Sequence, residues 1–388
     1  MTQIERRENH AGTDVLLKPA SGQCNARCAY CFYQDVTQKR NQASCGMMTV
    51  ATLEIILRKA LRQAEKGCTI IYQGGEPSLR GLSFYQKTVE LQKQHYRSGV
   101  SIRNVFQTNG LALDSRWAEF FAEHHFLVGV SLDGIRKTHD ACRVDANGRG
   151  TFHQVMDTIS LFRKYQVDFN ILTVVNRETS RNIRGIYEFY QKNRLLYQQY
   201  IPCLSPFEKE WDAERYSLSA EAYGSFLNQL FDLWFEDWKQ GRQPYIRFFE
   251  NLIGRLLGVP MESCDQNGVC GIQYAVEADG TVYPCDFYTL DSYRLGNLTE
   301  DEFSDLDSAR ENLNFLQRPR VLAESCRRCE YLRFCGGGCR RTRVMSEQGE
   351  LRSVFCEAYR SFFKRCLPRL QAVAQTIRMS EAGRYPIR

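Results

Sequence analysis

The chain has 388 residues, of which 43% are hydrophobic and 25% charged, a composition that fits a globular protein large enough for more than one domain. The N-terminal MTQIERRENHAGTD is polar, so we expect no secretory signal peptide, and no stretch approaches the roughly 20 apolar residues of a membrane span. The net charge of +6 comes from scattered Lys and Arg rather than a basic stripe, so we expect a cytoplasmic protein with neither a nucleic-acid nor a membrane partner.

The first half of the chain alternates strand-like and helix-like segments. Short runs rich in Val, Ile, Leu or aromatic residues give the strand candidates Asp14–Ala20, Thr69–Tyr72, Ser101–Gln107, Leu127–Ser131, Asp168–Val175 and Gln198–Cys203. Apolar residues at three- and four-residue steps give the helix candidates Thr52–Lys66, Leu82–Tyr96, Ser115–His125, Phe152–Tyr165 and Ile183–Lys192. Six successive βα units predict an α/β fold with a parallel sheet, and the pattern leaves both an open doubly wound sheet and a partial barrel as alternatives.

The character of the sequence changes twice further along the chain. Residues 213–257 are helical in pattern and rich in aromatic residues, whereas from Ser263 the chain consists of Cys, Gly and short turns. We predict three parts: a core domain over residues 1–205, a helical bridging segment over 206–258, and a Cys-rich domain with a C-terminal helix over 259–388.

Eleven of the sixteen cysteines form two groups. The first is a C-x3-C-x2-C run directly after the first strand candidate, formed by Cys24, Cys28 and Cys31. The second group lies in the Cys-rich part and comprises Cys264, Cys270, Cys285, Cys326, Cys329, Cys335, Cys339 and Cys356. Three thiolates leave one iron of a four-iron cluster open, whereas eight thiolates suffice for two fully ligated clusters.

Structural zinc is the alternative for both groups. A zinc site at the first group needs a fourth ligand, and a zinc ribbon at 326–339 leaves four cysteines of the second group without a role. The other five cysteines, namely Cys45, Cys68, Cys142, Cys203 and Cys366, are expected to be mostly small buried residues.

Three polar turns also follow strand candidates directly: Gly74-Gly75-Glu76-Pro77, Thr108-Asn109-Gly110 and Asp133-Gly134. Since ligand sites in α/β folds lie at the carboxyl ends of strands, these turns and the three-cysteine run predict one pocket at that edge. Gly74 and Gly75 allow close approach of the backbone to a ligand, and the Glu76 carboxylate can accept a hydrogen bond from an ammonium group.

The C-x3-C-x2-C run resembles the signature of the radical S-adenosylmethionine (SAM) superfamily, and Gly74–Pro77 resembles its second motif. The eight later cysteines are similar to a SPASM domain. Within that group the segments LLKPASGQCNARCAYCFY, YQGGEPSLRGLSFYQK, QTNG, FLVGVSLDG, VYPCDFY and CGGGCRR resemble anaerobic sulfatase-maturating enzymes. The resemblance implies a partial (β/α)6 TIM-like radical SAM barrel followed by a small Cys-rich SPASM domain.

The same resemblance implies SAM and three 4Fe-4S clusters as cofactors. It assigns the SAM-binding cluster to Cys24, Cys28 and Cys31, the first auxiliary cluster to Cys264, Cys270, Cys285 and Cys339, and the second to Cys326, Cys329, Cys335 and Cys356. The implied SAM contacts are Tyr30, Gly74, Gly75, Glu76, Ser131, Arg143 and Leu204.

Asp286 directly follows the cysteine Cys285. A base at this position would deprotonate a substrate thiol or hydroxyl while the adjacent carbon is oxidised, which is the role that the resemblance implies, whereas the alternative is an Asp that caps a turn. The implied activity is that of a radical SAM oxidoreductase, which uses a 5′-deoxyadenosyl radical to oxidise the Cβ of a sulfatase cysteine or serine to Cα-formylglycine. The implied partners are a sulfatase polypeptide or Cys/Ser-x-Pro/Ala-x-Arg peptide and a flavodoxin- or ferredoxin-type electron donor, in an anaerobic setting.

Two other functions remain open at this point. SPASM enzymes also install thioether or carbon–carbon crosslinks in ribosomal peptides or epimerise their residues, but the residues before the first strand candidate are fewer than the about 50 of a folded precursor-recognition domain. A non-catalytic iron–sulfur or zinc protein would need neither an open iron site nor the Gly-Gly-Glu turn.

Overall fold

The computed structural model describes residues 12–316, 322–345 and 349–379. They form two compact units. Unit 1 is the described part of Met1–Leu132, His139–Asn170 and Ile272–Phe315, and unit 2 is the described part of Asp133–Thr138, Ile171–Gly271 and Leu316–Arg388. No helix in these described ranges is long and apolar enough to cross a membrane.

The strands are short, and most are separated by helices. In chain order they are β1 (Gly12–Leu17), β2 (Gly67–Tyr72), β3 (Ser101–Thr108), β4 (Leu127–Ser131), β5 (Asp168–Val175), β6 (Tyr197–Pro202), β7 (Tyr245–Ile246), β8 (Tyr274–Val276), β9 (Thr281–Tyr283), β10 (Gly296–Asn297), β11 (Arg343–Met345) and β12 (Leu351–Ser353).

The helices range from single turns to one of 24 residues. They are α1 (Phe32–Gln38), α2 (Val50–Gln63), α3 (Leu82–Gln94), α4 (Ser115–Glu123), α5 (Arg136–Asp140), α6 (Phe152–Lys164), α7 (Arg177–Arg181), α8 (Ile183–Lys192), α9 (Ala220–Trp238), α10 (Arg247–Leu256), α11 (Cys264–Asn267), α12 (Phe303–Asn312), α13 (Glu324–Arg327), α14 (Leu332–Cys335) and α15 (Cys356–Met379).

The sheet of unit 1 has the strand order β10-β9-β8-β1-β2-β3-β4. Strands β1 to β4 pair in parallel, β8 pairs in parallel with the free side of β1, and β9 and β10 continue the sheet antiparallel. Because β1 to β4 are parallel, the loops that follow them share one edge of the sheet. That edge holds both the three-cysteine run and the Gly-Gly-Glu turn.

An aromatic core packs between this sheet and its helices. Tyr72 of β2 lies 5.2 Å from Tyr85 of α3, and Phe106 of β3 lies 5.0 Å from Phe121 of α4, measured between ring centroids. All four side chains are fully buried, and each contributes about 1.5–3 kcal/mol of hydrophobic stabilisation. This core fixes the strands whose ends carry the site.

Unit 2 combines a parallel β5-β6-β7 sheet with a helical layer. The long helices α9 and α15 pack so closely that a Cβ at Gly224 would lie 3.2 Å from the Cα of Ala358. Asp232 of α9 forms ion pairs with Arg365 at 2.6 Å and Arg369 at 2.9 Å, both on α15. The C-terminal helix that the sequence predicts is therefore confirmed as α15.

The strand and helix candidates of the first half are all confirmed, with ends that differ by at most three residues. The helical segment at 213–257 is confirmed as α9 and α10. The pairing of β8 with β1 was not predicted. Of the five remaining cysteines four are buried, as expected, and Cys45 is half-buried. The three domain bounds stay a prediction.

Candidate cofactor site and active site

The three-cysteine loop is held by backbone hydrogen bonds. The N–H of Cys31 donates to the carbonyl of Cys28 at 3.2 Å, and Cys31 directly precedes α1. The N–H groups of Arg27 and Ala29 donate to the segment after α5, at Val144 (2.7 Å) and Cys142 (2.9 Å). All three thiols are partly exposed, so this loop presents a set of soft sulfur donors that suits an iron–sulfur cluster.

The Gly-Gly-Glu turn packs directly on this loop. The N–H of Gly75 donates to the carbonyl of Ser21 at 2.8 Å, and the N–H of Glu76 donates to that of Gln23 at 2.7 Å. A Cβ at Gly75 would lie only 1.9 Å from the oxygen of Gln23, so no other residue fits without a shift of the backbone. Within unit 1, Gly75 therefore allows the turn to pack closely against the backbone of the cysteine loop.

Glu76 joins the loops after β2 and β3. Its carboxylate is 1% exposed and accepts hydrogen bonds from the N–H of Ser78 (3.0 Å), the hydroxyl of Thr108 (2.9 Å) and the N–H of Asn109 (2.8 Å). Burial raises the pKa of Glu76. These bonds organise the turn, and contact with a ligand ammonium stays a prediction.

Asn109 lies in one of the three polar turns and reaches the cysteine loop, a role that its sequence position alone does not indicate. Its side-chain amide lies 3.6 Å from Cys24 Sγ and 2.7 Å from Asn25 Oδ1. Burial raises the pKa of the Cys24 thiol to about 12. The structure thus connects Glu76 to the three-cysteine loop through a single residue.

Arg143 and Tyr30 lie together beside the same loop. The Arg143 guanidinium carbon is 5.4 Å from the centroid of the Tyr30 ring, and its Nη1 is 4.0 Å from Cys28 Sγ. The carbonyl of Arg143 accepts a bond from Thr151, whose hydroxyl also bonds His139 at 2.9 Å. This packing places a cationic side chain next to the cysteine loop.

The last two expected SAM contacts lie at strand ends. Ser131 is the half-buried final residue of β4 in unit 1, and Leu204 is half-buried two residues after β6 in unit 2. Their contacts with SAM stay a prediction.

Asp286 is held in a fixed orientation near the ends of β1 and β2. It follows Cys285 and β9 and is 7% exposed. Its Oδ1 pairs with the ammonium of Lys18, and its Oδ2 accepts a bond from the Gln73 amide at 2.7 Å. Gln73 directly follows a strand candidate, and that position is the signal that would have found it, whereas Lys18 lies within the first strand candidate and has no such signal.

A second buried carboxylate, Glu277, is connected to Lys18 through Tyr33 in unit 1. It accepts bonds from the hydroxyl of Tyr33, from Arg40 Nη1 at 2.6 Å and from the Ser21 hydroxyl at 2.8 Å. The Tyr33 ring in turn lies 3.8 Å from Lys18 Nζ, as a cation–π contact. Nothing in the local sequence pattern indicates that these charged side chains are buried.

Four of the C-terminal cysteines surround one cavity in unit 2. Cys326, Cys329, Cys335 and Cys356 line a space of about 290 Å³. Arg352 Nη2 lies 3.1 Å from Cys356 Sγ and supplies a cation beside the sulfur. Four thiols around one cavity are a donor set that fits a fully ligated cluster.

Three consecutive glycines form a sharp turn between Cys335 and Cys339. Gly336, Gly337 and Gly338 all have positive φ angles, of 56°, 81° and 75°. A Cβ at Gly336 would lie 2.3 Å from the backbone nitrogen of Gly268. The buried Arg343 donates to the carbonyls of Gly337 (3.1 Å) and Gly338 (3.0 Å), which fixes the turn.

The remaining cysteines of the predicted first auxiliary site are divided between the units. In unit 2 burial, together with the neighbouring thiols of Cys264 and Cys270, raises the pKa of Cys339 to about 12. Cys285 belongs to unit 1. Among the described ranges, no three His, Cys, Asp or Glu side chains are spaced to share a single metal ion.

Two family descriptions match the chain. "Radical SAM superfamily" matches residues 19–190, and "Iron-sulfur cluster-binding domain" (SPASM) matches residues 268–330. These ranges contain the three-cysteine loop and part of the later cysteine set. Both matches confirm the family features that the sequence predicts.

Similar proteins cover nearly the whole chain. The cysteine-type anaerobic sulfatase-maturating enzyme of Clostridium novyi is 42% identical, over 94% of this chain and 97% of that protein. The serine-type enzyme of Klebsiella aerogenes is 31% identical, over 95% of this chain and 89% of that protein. The solved structure of native anSMEcpe with bound AdoMet and Cp18Cys peptide is 40% identical with a TM-score of 0.89, over 94% and 99% of the two chains. The predicted fold class is therefore confirmed.

Proposed function

The chain belongs to the anaerobic sulfatase-maturating enzymes, which are radical SAM oxidoreductases with a SPASM domain, and we propose that it acts on a cysteine of a sulfatase polypeptide. Its identity to the cysteine-type relative is 42%, against 31% for the serine-type relative, which supports cysteine as the substrate. The proposed product is Cα-formylglycine.

The proposed cofactors are SAM and three 4Fe-4S clusters. Cys24, Cys28 and Cys31 would hold the SAM-binding cluster; Cys264, Cys270, Cys285 and Cys339 the first auxiliary cluster; and Cys326, Cys329, Cys335 and Cys356 the second. When bound, these groups supply a 5′-deoxyadenosyl radical and an acceptor for one electron. The chain itself contributes binding, orientation and proton transfer. Tyr30 and Arg143 beside the cysteine loop suit SAM, because an aromatic face and a guanidinium can bind its base and its carboxylate.

Asp286 is the proposed base. Oxidation of a cysteine side chain to a thioaldehyde removes one hydrogen atom from Cβ, one proton from the thiol and one electron, and water then replaces sulfur as hydrogen sulfide. An ionised carboxylate has about four lone-pair sites, and Lys18 and Gln73 occupy two of them, so Asp286 can still accept the thiol proton. This buried and oriented carboxylate is the observation that carries the proposal.

The test uses the anaerobically reconstituted protein with SAM, reductant and a Cys-x-Pro-x-Arg peptide, and a matched Ser-x-Pro-x-Arg peptide as the comparison. We expect deoxyadenosine and a peptide mass change that matches loss of hydrogen sulfide and gain of oxygen with the Cys peptide, and a smaller yield with the Ser peptide. Deoxyadenosine with both peptides unmodified would contradict formylglycine as the product. A crosslinked or epimerised peptide would reassign the chain to another SPASM activity.

A flavodoxin- or ferredoxin-type electron donor and a cytoplasmic location are part of this proposal. Either donor type is tested by replacing the chemical reductant with that protein and its reductase. Failure of both to support deoxyadenosine formation would contradict this part of the proposal.

A further inference from the structure

We propose that Lys18 is a positioning residue for Asp286, which fixes the orientation in which that carboxylate meets the substrate thiol. This inference rests on the proposed function of Asp286. It assigns a role to a buried charge that the proposed reaction does not otherwise use.

Lys18 is placed by its backbone as well as by its charge. It directly follows β1, and its N–H donates to the carbonyl of Val276, the last residue of β8, at 2.8 Å. The side chain is 0% exposed. An ammonium group removed from water is stable only with partners, and within the described ranges Lys18 contacts the Asp286 carboxylate and the Tyr33 ring.

The aromatic partner is itself immobile. The Tyr33 hydroxyl donates a hydrogen bond to Glu277, which also accepts hydrogen bonds from Arg40 at 2.6 Å and from the Ser21 hydroxyl at 2.8 Å. The ring therefore cannot swing away, and the ammonium is confined between a fixed π face and Asp286.

The carboxylate is consequently held at both of its oxygens. Lys18 pairs with Oδ1, and the Gln73 amide donates to Oδ2 at 2.7 Å. Rotation of the carboxyl group would break both the ion pair with Lys18 and the hydrogen bond from Gln73. A base held within a narrow range of orientations accelerates proton transfer more than a freely rotating one.

The competing explanation is that Lys18 only neutralises buried charge and keeps unit 1 folded. Substitutions in two backgrounds separate the two explanations. Lys18→Met keeps an unbranched side chain of similar length but removes the charge and the hydrogen-bond donor. Lys18→Gln removes the charge but keeps a hydrogen-bond donor. Each is combined with native Asp286 and with Asp286→Asn. Lys59→Met is the matched control, since Lys59 is also a buried lysine of unit 1 but donates to the carbonyl of Asp301 at 2.8 Å.

The main readout is formylglycine formed per deoxyadenosine, measured on reconstituted protein with the Cys-x-Pro-x-Arg peptide, together with the dissociation constant of the peptide and the unfolding temperature. We expect Lys18→Met to lower the ratio at least about tenfold, with deoxyadenosine formation and peptide affinity within about twofold of the wild type. Lys18→Gln should lie between Met and the wild type. In the Asp286→Asn background, Lys18→Met should cause no further loss, because residues that act as a unit are not additive.

Three results would overturn the inference: an unchanged ratio in Lys18→Met, an equal fold-loss in both backgrounds, or the same loss in Lys59→Met. If Lys18→Met does not fold, Lys18→Gln carries the same comparison across the two backgrounds. Failure of the proposed function would look different, because the wild-type protein would then form no formylglycine at all.

Discussion

Glu76 accepts a hydrogen bond from the backbone N–H of Asn109 at 2.8 Å, and this bond joins the loops after two neighbouring strands. Asn109 extends the connection to Cys24, whose Sγ lies 3.6 Å from its side-chain amide. The conformation of the cysteine loop therefore depends on a carboxylate that is itself fully enclosed by protein.

Replacing Glu76 with Gln should destabilise this connection. The amide of Gln has one accepting oxygen, so its NH₂ group would face at least one of the three donors that Glu76 now satisfies. A buried donor left without a partner costs about 1–3 kcal/mol. Urea unfolding of the apoprotein measures that loss, and equilibrium binding after reconstitution measures the expected weaker affinity for SAM. The exposed Glu90→Gln is the control, and equal stability of the two variants would contradict the prediction.

Gly75→Ala should impair cluster incorporation. The new Cβ would lie 1.9 Å from the carbonyl oxygen of Gln23, one residue before Cys24, so the backbone of the cysteine loop must move. Overpacking of this kind costs about 1–3 kcal/mol or more. We expect a lower iron content after reconstitution. Gly185→Ala is the matched control because a Cβ there meets nothing within 4 Å, and helix propensity even favours Ala within α8. Full iron content in Gly75→Ala would refute the steric argument.

Cys326→Ala and Cys366→Ala should differ in their iron content. Cys326 lines the four-cysteine cavity of unit 2, so its loss is expected to remove one cluster, or about four iron atoms per chain. Cys366 is a fully buried residue of α15 that bonds Asn228 at 3.4 Å. Its replacement should lower the unfolding temperature without changing the iron content. Iron per polypeptide is measured with a colorimetric assay. Unchanged iron in Cys326→Ala together with iron loss in Cys366→Ala would mean that the cavity does not hold a cluster.

Glu250 should make unit 2 less stable as the pH rises. Burial raises its pKa from 4.5 to about 7. A carboxyl group whose pKa is raised in the folded state makes its full contribution to folding stability below pH 4.5. That contribution is lost as the pH rises to 7. Glu250→Gln should therefore match the wild type at acid pH and be more stable by about 1–3 kcal/mol at pH 8, allowing for partial exposure. Urea midpoints at pH 5 and pH 8 check this, with the exposed Glu188→Gln as the control, which should show no such difference.

Much of the fold follows from local patterns. The strands and helices of the first half are long enough for their periodicity to show, and Pro19 explains why β1 ends at Leu17 rather than continuing to Ala20. The cysteine spacing and the Gly-Gly-Glu turn could be recognised because each is continuous in sequence.

The interactions that could not be predicted are non-local. Strand β8 has three residues, too few for an alternating pattern, and its partner Leu16 is distant in the chain. Lys18, Glu277 and Arg40 look like ordinary surface charges in the sequence, because their burial depends on partners that only the folded sheet brings close. Asp286 was identified by its position after a cysteine, whereas the two side chains that orient it were not.

The pairing of β8 with β1 also has a consequence for the order of synthesis. Lys18 and Asp286 are 268 residues apart in the chain. At a synthesis rate of about 5–20 residues per second, Asp286 is therefore added roughly 13 to 54 s after Lys18. During that interval β1 has an open edge, and three cysteines beside it have no completed sheet around them. Contacts between such distant residues form slowly, so the nascent protein is expected to be most vulnerable to aggregation and thiol oxidation before its last third emerges.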